Sequence, residues 1–303
     1  MKNYIIKRSL LAVVTILLIS MITFFAMNTI PGGPFDSEKA TSPEVKAVLE
    51  ARYNLDKPVL EQYFIYMGNL LTGDWGVSMQ TGRSIWSIIS KSFLISARIG
   101  GIAAVFAIVI GIVLGSIAAL TRNRWSDRLI VFLSTLATAM PSFVLATLLL
   151  YLFCIKLGWI PVWSTNNTNY ILPVTALALY PMAYITRLTK TSMLDSLGQD
   201  YIRTARAKGV AKRKVIFKHA LRNALIPVVT YVGPMVAFIL TGSLVVENIF
   251  TIGGLGAKFI VGITNRDYPL IMATTIFLAM IMVAANLLTD IAYKLIDPRI
   301  KLD

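Results

Sequence analysis

Seven hydroxyl-bearing side chains lie within or close to long uncharged runs of this sequence. They are Thr138, Ser142, Tyr180, Tyr184, Tyr231, Thr241 and Ser243. Hydroxyl groups in such runs suit a wet, uncharged pathway through a membrane, but they also serve simply to hydrogen-bond closely packed helices to one another. We predict the pathway role for the set, although the packing role explains many single hydroxyls equally well.

Motifs that mark catalysis are missing from the sequence. There is no G-x-x-x-x-G-K-[ST] phosphate loop, no H-E-x-x-H zinc site and no G-x-S-x-G nucleophile motif. The single cysteine, Cys154, and the single histidine, His219, are too few for a disulfide framework or a metal cluster. We therefore expect a chain that is not an enzyme and that holds no metal or cofactor of its own.

Composition predicts that lipid is the solvent for most of the chain. Hydrophobic residues make up 56% and charged residues 15%, with a mean hydropathy of +0.70, unlike the balance of soluble domains. Six uncharged stretches are long enough, as helices, to cross about 30 Å of hydrocarbon. They cover residues 9–30, 99–120, 129–155, 171–186, 223–246 and 268–289. The fourth is short and contains Pro173 and Pro181, so we expect it to extend past Arg187 with a kink.

Asp, Glu, His, Lys and Arg are absent from these six stretches. Secondary carriers commonly place such a group inside the membrane as a proton or ion relay. Glu247 and Asp290 lie just beyond the ends of two stretches, and we predict that both are helix-end charges at the membrane interface. The pattern therefore argues against ion-coupled transport.

Lysine and arginine are concentrated before the first stretch, between the second and third, and after the fourth. Short cytoplasmic loops retain these residues, so both ends of the chain are predicted to be cytoplasmic. The same distribution accounts for the net charge of +14 without a nucleic-acid partner. The long, mixed-charge connection 31–92 is predicted to be a small ordered cap on the outer side, with helices beginning near Ser42 and after Pro58.

The basic loop from Asp200 to Ala224 is predicted to form two short helices. Asp200 is placed to cap the first helix, and Gly209 is placed to end it in the left-handed conformation. Small side chains at Ala205, Ala207 and Gly209 would let this loop enter a groove of another protein. Apolar residues Val215, Ile216 and Ala220 would form a stripe on the second helix. The alternative is a basic loop that only lies on anionic headgroups.

This loop resembles the EAA motif of the membrane permease subunits of ATP-binding-cassette importers, in particular the oligopeptide, dipeptide and nickel group. The motif reads E-A-A-x3-G-x9-I-x-L-P. Here Arg203, Thr204 and Ala205 occupy the first three positions, Gly209 is the glycine and Leu221 is the leucine, with His219 for isoleucine and Arg222 for proline. Further similar stretches are 30–34, 70–76, 158–161, 246–250 and 266–269, so the resemblance covers nearly the whole chain.

The resemblance implies an all-helical type I importer permease with about six transmembrane helices in the bacterial inner membrane. A second, similar permease, two ATPase subunits and an extracytoplasmic substrate-binding protein are the implied partners, with ATP and magnesium on the ATPases. The residues implied to couple to the ATPases are Asp200, Arg203, Thr204, Ala205, Arg206, Ala207, Gly209, Val215 and Leu221. Peptides are the expected substrate. A nickel or other small-solute importer, and an ATPase-independent channel or carrier, remain the alternatives.

Four segments are expected on these grounds. Residues 1–30 hold the cytoplasmic N-terminus and the first membrane helix, and 31–92 form the outer cap. Residues 93–294 form the permease core, with the coupling loop at 190–222, and 295–303 form a cytoplasmic tail.

Overall fold

A computed structural model of the chain describes residues 2–35, 42–164 and 167–296, and every regular element in these ranges is a helix. The helices are α1 (Lys2–Thr29), α2 (Pro43–Arg52), α3 (Val59–Leu71), α4 (Ile85–Leu120), α5 (Trp125–Ala139), α6 (Ser142–Leu149), α7 (Ile171–Leu197), α8 (Asp200–Ala207), α9 (Lys212–Lys214), α10 (Arg222–Leu240), α11 (Leu244–Ile249), α12 (Leu255–Thr264) and α13 (Tyr268–Ile296). Two π-helical segments, Leu150–Lys156 and Val215–Leu221, continue α6 and α9 without a break. The predicted tail lies largely outside the described residues.

Five of the described helices are long and apolar enough to cross a membrane. They cover Ile6–Thr29, Ile85–Leu120, Ile171–Leu197, Lys212–Ile249 and Tyr268–Ile291. A sixth apolar unit is the pair Trp125–Ala139 and Ser142–Lys156, whose axes meet at 107°. The predicted number of about six spans therefore holds if this bent pair makes one crossing.

The bend in the third predicted span has a local cause. Met140 adopts an extended conformation with ψ 135°, and α6 begins directly after Pro141. Proline disfavours the helical conformation of the residue before it and has no N–H for the helical ladder. The predicted span 129–155 is therefore built from two helices that meet at an angle, which hydropathy alone does not reveal.

The fourth span is longer than its uncharged part. α7 runs from Ile171 to Leu197 with Pro181 inside it, which confirms the expected extension past Arg187. Arg187 and Lys190 consequently belong to a helix long enough to cross a membrane, beyond the uncharged stretch that ends at Thr186. The extended span thus carries two cations that the uncharged stretch itself does not contain.

Close packing divides the chain into two compact units. One comprises the described residues up to Ile95 together with Gly253–Ala284, and the other comprises the described residues of Ser96–Ile252 together with 285–296. Helices α4 and α13 contribute residues to both units. The four segment limits expected from the sequence remain predictions.

In the first unit, the expected cap is built from α2, α3 and the turn that follows. The hydroxyl of Ser42 accepts a hydrogen bond from the Val45 amide, so this residue caps α2 as predicted. The α3 residue Tyr63 is buried against α1, where its hydroxyl lies 2.8 Å from that of Ser20. Asp267 accepts a hydrogen bond from the Ser78 hydroxyl, which ties the cap turn to the start of α13.

In the second unit, α7 is the central helix and packs against α5, α6 and α10. It also lies close to α4, where two glycines leave room for it. A Cβ added at Gly111 would be 2.8 Å from the Ile185 side chain, and one at Gly115 would be 2.5 Å from the Thr186 carbonyl oxygen. These glycines permit the close helix approach that small residues provide in membranes.

Gly115→Ala should therefore destabilise the protein, whereas Gly101→Ala in the same helix should not. Alanine is the better helix former at both sites by about 0.5–1 kcal/mol. Only at Gly115 does the new methyl group meet backbone, which costs about 1–3 kcal/mol in a packed core. Thermal unfolding of both variants in detergent measures the difference. Equal melting temperatures would show that α4 and α7 do not pack closely at Gly115.

Candidate functional site

The first helix of the basic loop, α8, ends as the sequence predicts. Gly209 has φ of +74°, which is the left-handed region. Its amide donates to the Arg206 carbonyl and the Val210 amide donates to the Ala205 carbonyl, at 3.0 and 3.2 Å. These two bonds form the Schellman motif, which satisfies the last carbonyls of a helix. Gly209 is thus the residue that stops α8 and turns the chain.

The start of α8 differs from the prediction. Gln199 is the capping residue, and Asp200 is the first residue of the helix. The Asp200 carboxylate lies 3.5 Å from the Arg203 guanidinium, and both side chains are largely exposed. An acidic residue in the first turn still favours the helix through its dipole. An exposed pair of this kind adds little to stability.

The second helix of the loop is not a separate element. α9, the segment Val215–Leu221 and α10 follow one another without a break from Lys212 to Leu240. The expectation of two short helices was therefore wrong for the second. The loop is consequently joined to the next membrane helix, α10, by continuous helical backbone.

The predicted docking stripe faces inward. Ala205 on α8 packs with Ile202, Val215 and Ala220 in a buried cluster, and their exposed fractions are 8% or less. These side chains are covered by their own chain, so they cannot insert into a groove of a partner. The small size of Ala205 is needed for packing inside the loop, which corrects the role expected for Ala205 and Val215.

Apart from the partly buried Leu221, the remaining predicted coupling residues lie on the outer side of α8 and in the turn that follows it. These are Asp200, Arg203, Thr204, Arg206, Ala207 and Gly209, all exposed. The surface is short and basic, and Tyr201, which is 41% exposed, is its one large ring among the residues of α8. Together with the exposed segment 211–214, it is a part of the loop that is available to another protein.

A second buried cluster joins the loop to the membrane helices. Ala119 of α4, Met193 of α7 and Ala224 of α10 form its centre, with the partly buried Leu197 and Leu221 packed around them. Leu197 also packs against the cluster inside the loop. Because Leu197 packs against both clusters, apolar contacts run without interruption from α8 to α7 and α10.

An ion pair that the sequence analysis missed secures α7 beside this junction. The Lys190 ammonium lies 2.5 Å from the Asp127 carboxylate of α5. Asp127 is 4% exposed and also accepts a hydrogen bond from the Asn123 amide at 3.0 Å. The sequence signal that could have indicated this pair is Asp127 itself, the one acidic residue in the basic connection between the second and third stretches.

The three tyrosines predicted to line a pathway lie on α7 and α10. Tyr180 and Tyr184 are four residues apart and so share one face of α7. The ring centroid of Tyr184 is 4.3 Å from that of Tyr231 on α10. Tyr180 is 49% exposed and Tyr184 is 37% exposed, so this polar group faces outward from the chain.

The four other predicted pathway residues have local structural roles or stand apart. The Thr138 hydroxyl donates to carbonyls of its own helix, and the buried Thr241 hydroxyl donates to the Phe238 carbonyl at 2.7 Å. The Ser243 hydroxyl caps α11. Ser142 is exposed at the first position of α6. The tyrosine group is therefore the stronger candidate for a pathway lining.

Glu247 is buried, contrary to the prediction that it is a charge at the membrane interface. It is 4% exposed and accepts a hydrogen bond from the Ser96 hydroxyl at 2.6 Å. Gly242, with φ of +87°, lies beside it in the break between α10 and α11, and a Cβ there would be 2.6 Å from the carboxylate. Glu247 thus helps to hold the broken end of the fifth span against α4.

Comparison with known proteins assigns the chain to a family. Residues 111–302 match the family described as "Binding-protein-dependent transport system inner membrane component", and residues 1–109 match the N-terminal family of the same membrane components. The chain belongs to this family. It is an inner-membrane component of an ATP-binding-cassette importer, as the loop motif indicated.

Full-length relatives within the importer family are similar to this chain. The dipeptide transport system permease protein DppB of Bacillus subtilis is 47% identical over 100% of this chain and 99% of its own length. The oligopeptide transport system permease protein OppB of Haemophilus influenzae is 42% identical over 99% of this chain and 100% of its own length. DppB of Lactococcus lactis is 42% identical over the full length of both chains.

A solved structure shares the importer permease fold. A chain in the crystal structure of an amino acid ABC transporter with histidines superposes with a TM-score of 0.55 at 15% sequence identity. The match covers 69% of this chain and 94% of that chain. The sequences are too distant for residue roles to be transferred, so this likeness supports the all-helical permease fold alone.

Proposed function

We propose that this permease forms half of the translocation pathway of a peptide importer and performs no catalysis itself. The single observation that carries the proposal is the buried connection from α8 through Leu197 to α7 and α10, the helices that bear the exposed tyrosines. The exposed helix α8, which we propose receives force from an ATPase, is thereby joined to α7 and α10, which we propose line the translocation pathway. The full-length relatives named as dipeptide and oligopeptide permeases support peptides as the cargo.

Four further subunits complete the proposed assembly. A second, similar permease forms the other half of the path, and two ATPase subunits bind ATP and magnesium. The exposed basic side of α8, with Arg203 and Arg206, contacts an ATPase. An extracytoplasmic binding protein delivers the peptide on the side of the cap.

The proposed mechanism is alternating access. ATP-driven closure of the ATPase pair brings the two α8 helices together, and the movement passes into α7 and α10 because their side chains share one core with the loop. The path then opens outward and accepts the peptide, and hydrolysis returns it to the inward state. Packed cores convert such small displacements into shifts between discrete states.

Co-purification combined with uptake tests the proposal. A tagged chain expressed with its neighbouring genes should bring down a second permease and ATP-binding subunits. In proteoliposomes, the assembly should take up a tripeptide only when ATP is present on the side of the ATPase subunits and the binding protein is present on the opposite side. A chain that purifies alone and conducts or exchanges solute without ATP would contradict the proposal.

A further inference from the structure

The exposed side of α7 carries a polar stripe that continues beyond the tyrosines. Tyr180, Tyr184, Arg187 and Thr191 follow one another at steps of four, three and four residues, which places them on one face of the helix. Tyr180, Tyr184 and Thr191 are exposed and Arg187 is partly buried, whereas neighbouring Ile185 is fully buried. The stripe is the face of α7 that its own chain leaves uncovered.

The two cations of this part of α7 differ in their partners. Lys190 is neutralised by Asp127 at 2.5 Å. Within residues 2–35, 42–164 and 167–296, the Arg187 guanidinium forms neither an ion pair nor a hydrogen bond. The Thr191 hydroxyl donates to the backbone carbonyl of Arg187 at 3.1 Å and leaves the guanidinium free. Arg187 is thus an uncompensated positive charge beside two exposed phenols.

The position of Arg187 along the helix makes this charge informative. It lies sixteen residues after Ile171, the first residue of α7, or about 24 Å along the axis. A hydrocarbon core is about 30 Å thick, so the residue falls within the span. Ionisable groups at such positions mark substrate or ion pathways, because desolvation without a partner is costly.

We propose that Arg187 binds the C-terminal carboxylate of the peptide as it passes, with the hydroxyl groups of Tyr180 and Tyr184 as neighbouring hydrogen-bond donors. This inference rests on the proposed peptide cargo. A guanidinium matches a carboxylate with two parallel N–H···O bonds, which few other side chains provide. Every linear peptide ends in this group whatever its side chains, so the contact would serve a broad range of peptides.

The test compares uptake of tri-alanine with uptake of tri-alanine amide by the reconstituted importer. The two probes differ only at the C-terminus, where a neutral amide replaces the charged carboxylate. Any preference of the binding protein for the free acid is the same in every variant and cancels when acid-to-amide ratios are compared. Arg187→Gln should lower that ratio about tenfold or more, since hydrogen bonds to a charged group are among the strong ones. Arg187→Lys keeps the positive charge but lacks the two parallel N–H donors of the guanidinium, so it should lower the acid-to-amide ratio less.

Arg128→Gln is the matched control, because Arg128 is an exposed arginine at the start of α5 outside the stripe. It should leave the ratio unchanged. An unchanged acid-to-amide ratio in Arg187→Gln would overturn the proposal. Equal losses of uptake for both peptides, including complete loss, would also overturn it, because a residue that holds the bundle together or binds a lipid headgroup affects both peptides alike. Uptake of neither probe by the unmodified assembly would refute the peptide cargo itself.

Discussion

Ala205→Arg is expected to abolish substrate-stimulated ATP hydrolysis and uptake in the assembled importer. The substitution places a charge in the apolar cluster of Ile202, Val215 and Ala220, where it has no partner. Burying an unpaired charge is far more costly than the packing of this small cluster can offset. We expect α8 to separate from the base of α10, so that movement of the ATPases no longer reaches the membrane helices.

Hydrogen exchange of the loop amides separates this mechanism from a simple block of docking. Amides of α8 should exchange at least tenfold faster in Ala205→Arg, because local stability sets their protection. Ala207→Arg adds the same side chain two residues away on the exposed side, and it should leave the exchange unchanged. Normal stimulated ATPase activity in a well-expressed Ala205→Arg complex would show that the loop core does not transmit force.

Lys190→Met should lower the stability of the protein by about 3 kcal/mol. The substitution removes the partner of Asp127, whose side chain is 6% exposed, and leaves a carboxylate surrounded by protein. Lys190 itself is 21% exposed, so the loss should fall at the lower end of the range for buried pairs. Thermal unfolding of the purified complex measures the effect.

The double variant Lys190→Met with Asp127→Asn controls for the loss of the lysine itself. An uncharged amide keeps the hydrogen bond that Asp127 accepts from the Asn123 amide, and it removes the buried charge. Most of the lost stability should return in this variant. Should the single and double variants unfold at the same temperature, the ion pair would contribute nothing to holding α7.

Hydropathy and local turn chemistry account for most of what sequence reasoning predicted correctly. The six apolar units, the cap at Ser42 and the stop at Gly209 each depend on residues that are close together in the chain. The extension of the fourth span past Arg187 was also anticipated. The resemblance of the loop to the EAA motif then led to the importer family, which the comparisons confirm.

The errors arose where a side chain's environment depends on distant residues. The small side chain of Ala205 suits either docking to a partner or packing inside the loop. Its buried contact with Val215 and Ala220 shows that it serves packing. Glu247 was placed at the interface because it follows the end of an apolar run, yet Ser96, far away in the sequence, makes it a buried acceptor. The ion pair of Lys190 with Asp127 was missed because these two residues meet only when α5 packs against α7.

The linear sequence determined that this chain lies in a membrane, how often it crosses and which loop carries the basic charge, because lipid selects for the length and polarity of each segment. Tertiary structure alone decided which side of α8 is exposed, which cations are neutralised and which helices pack against the loop. Those properties are set by contacts between residues such as Leu197 and Ala224, or Lys190 and Asp127, that meet only when the helices pack.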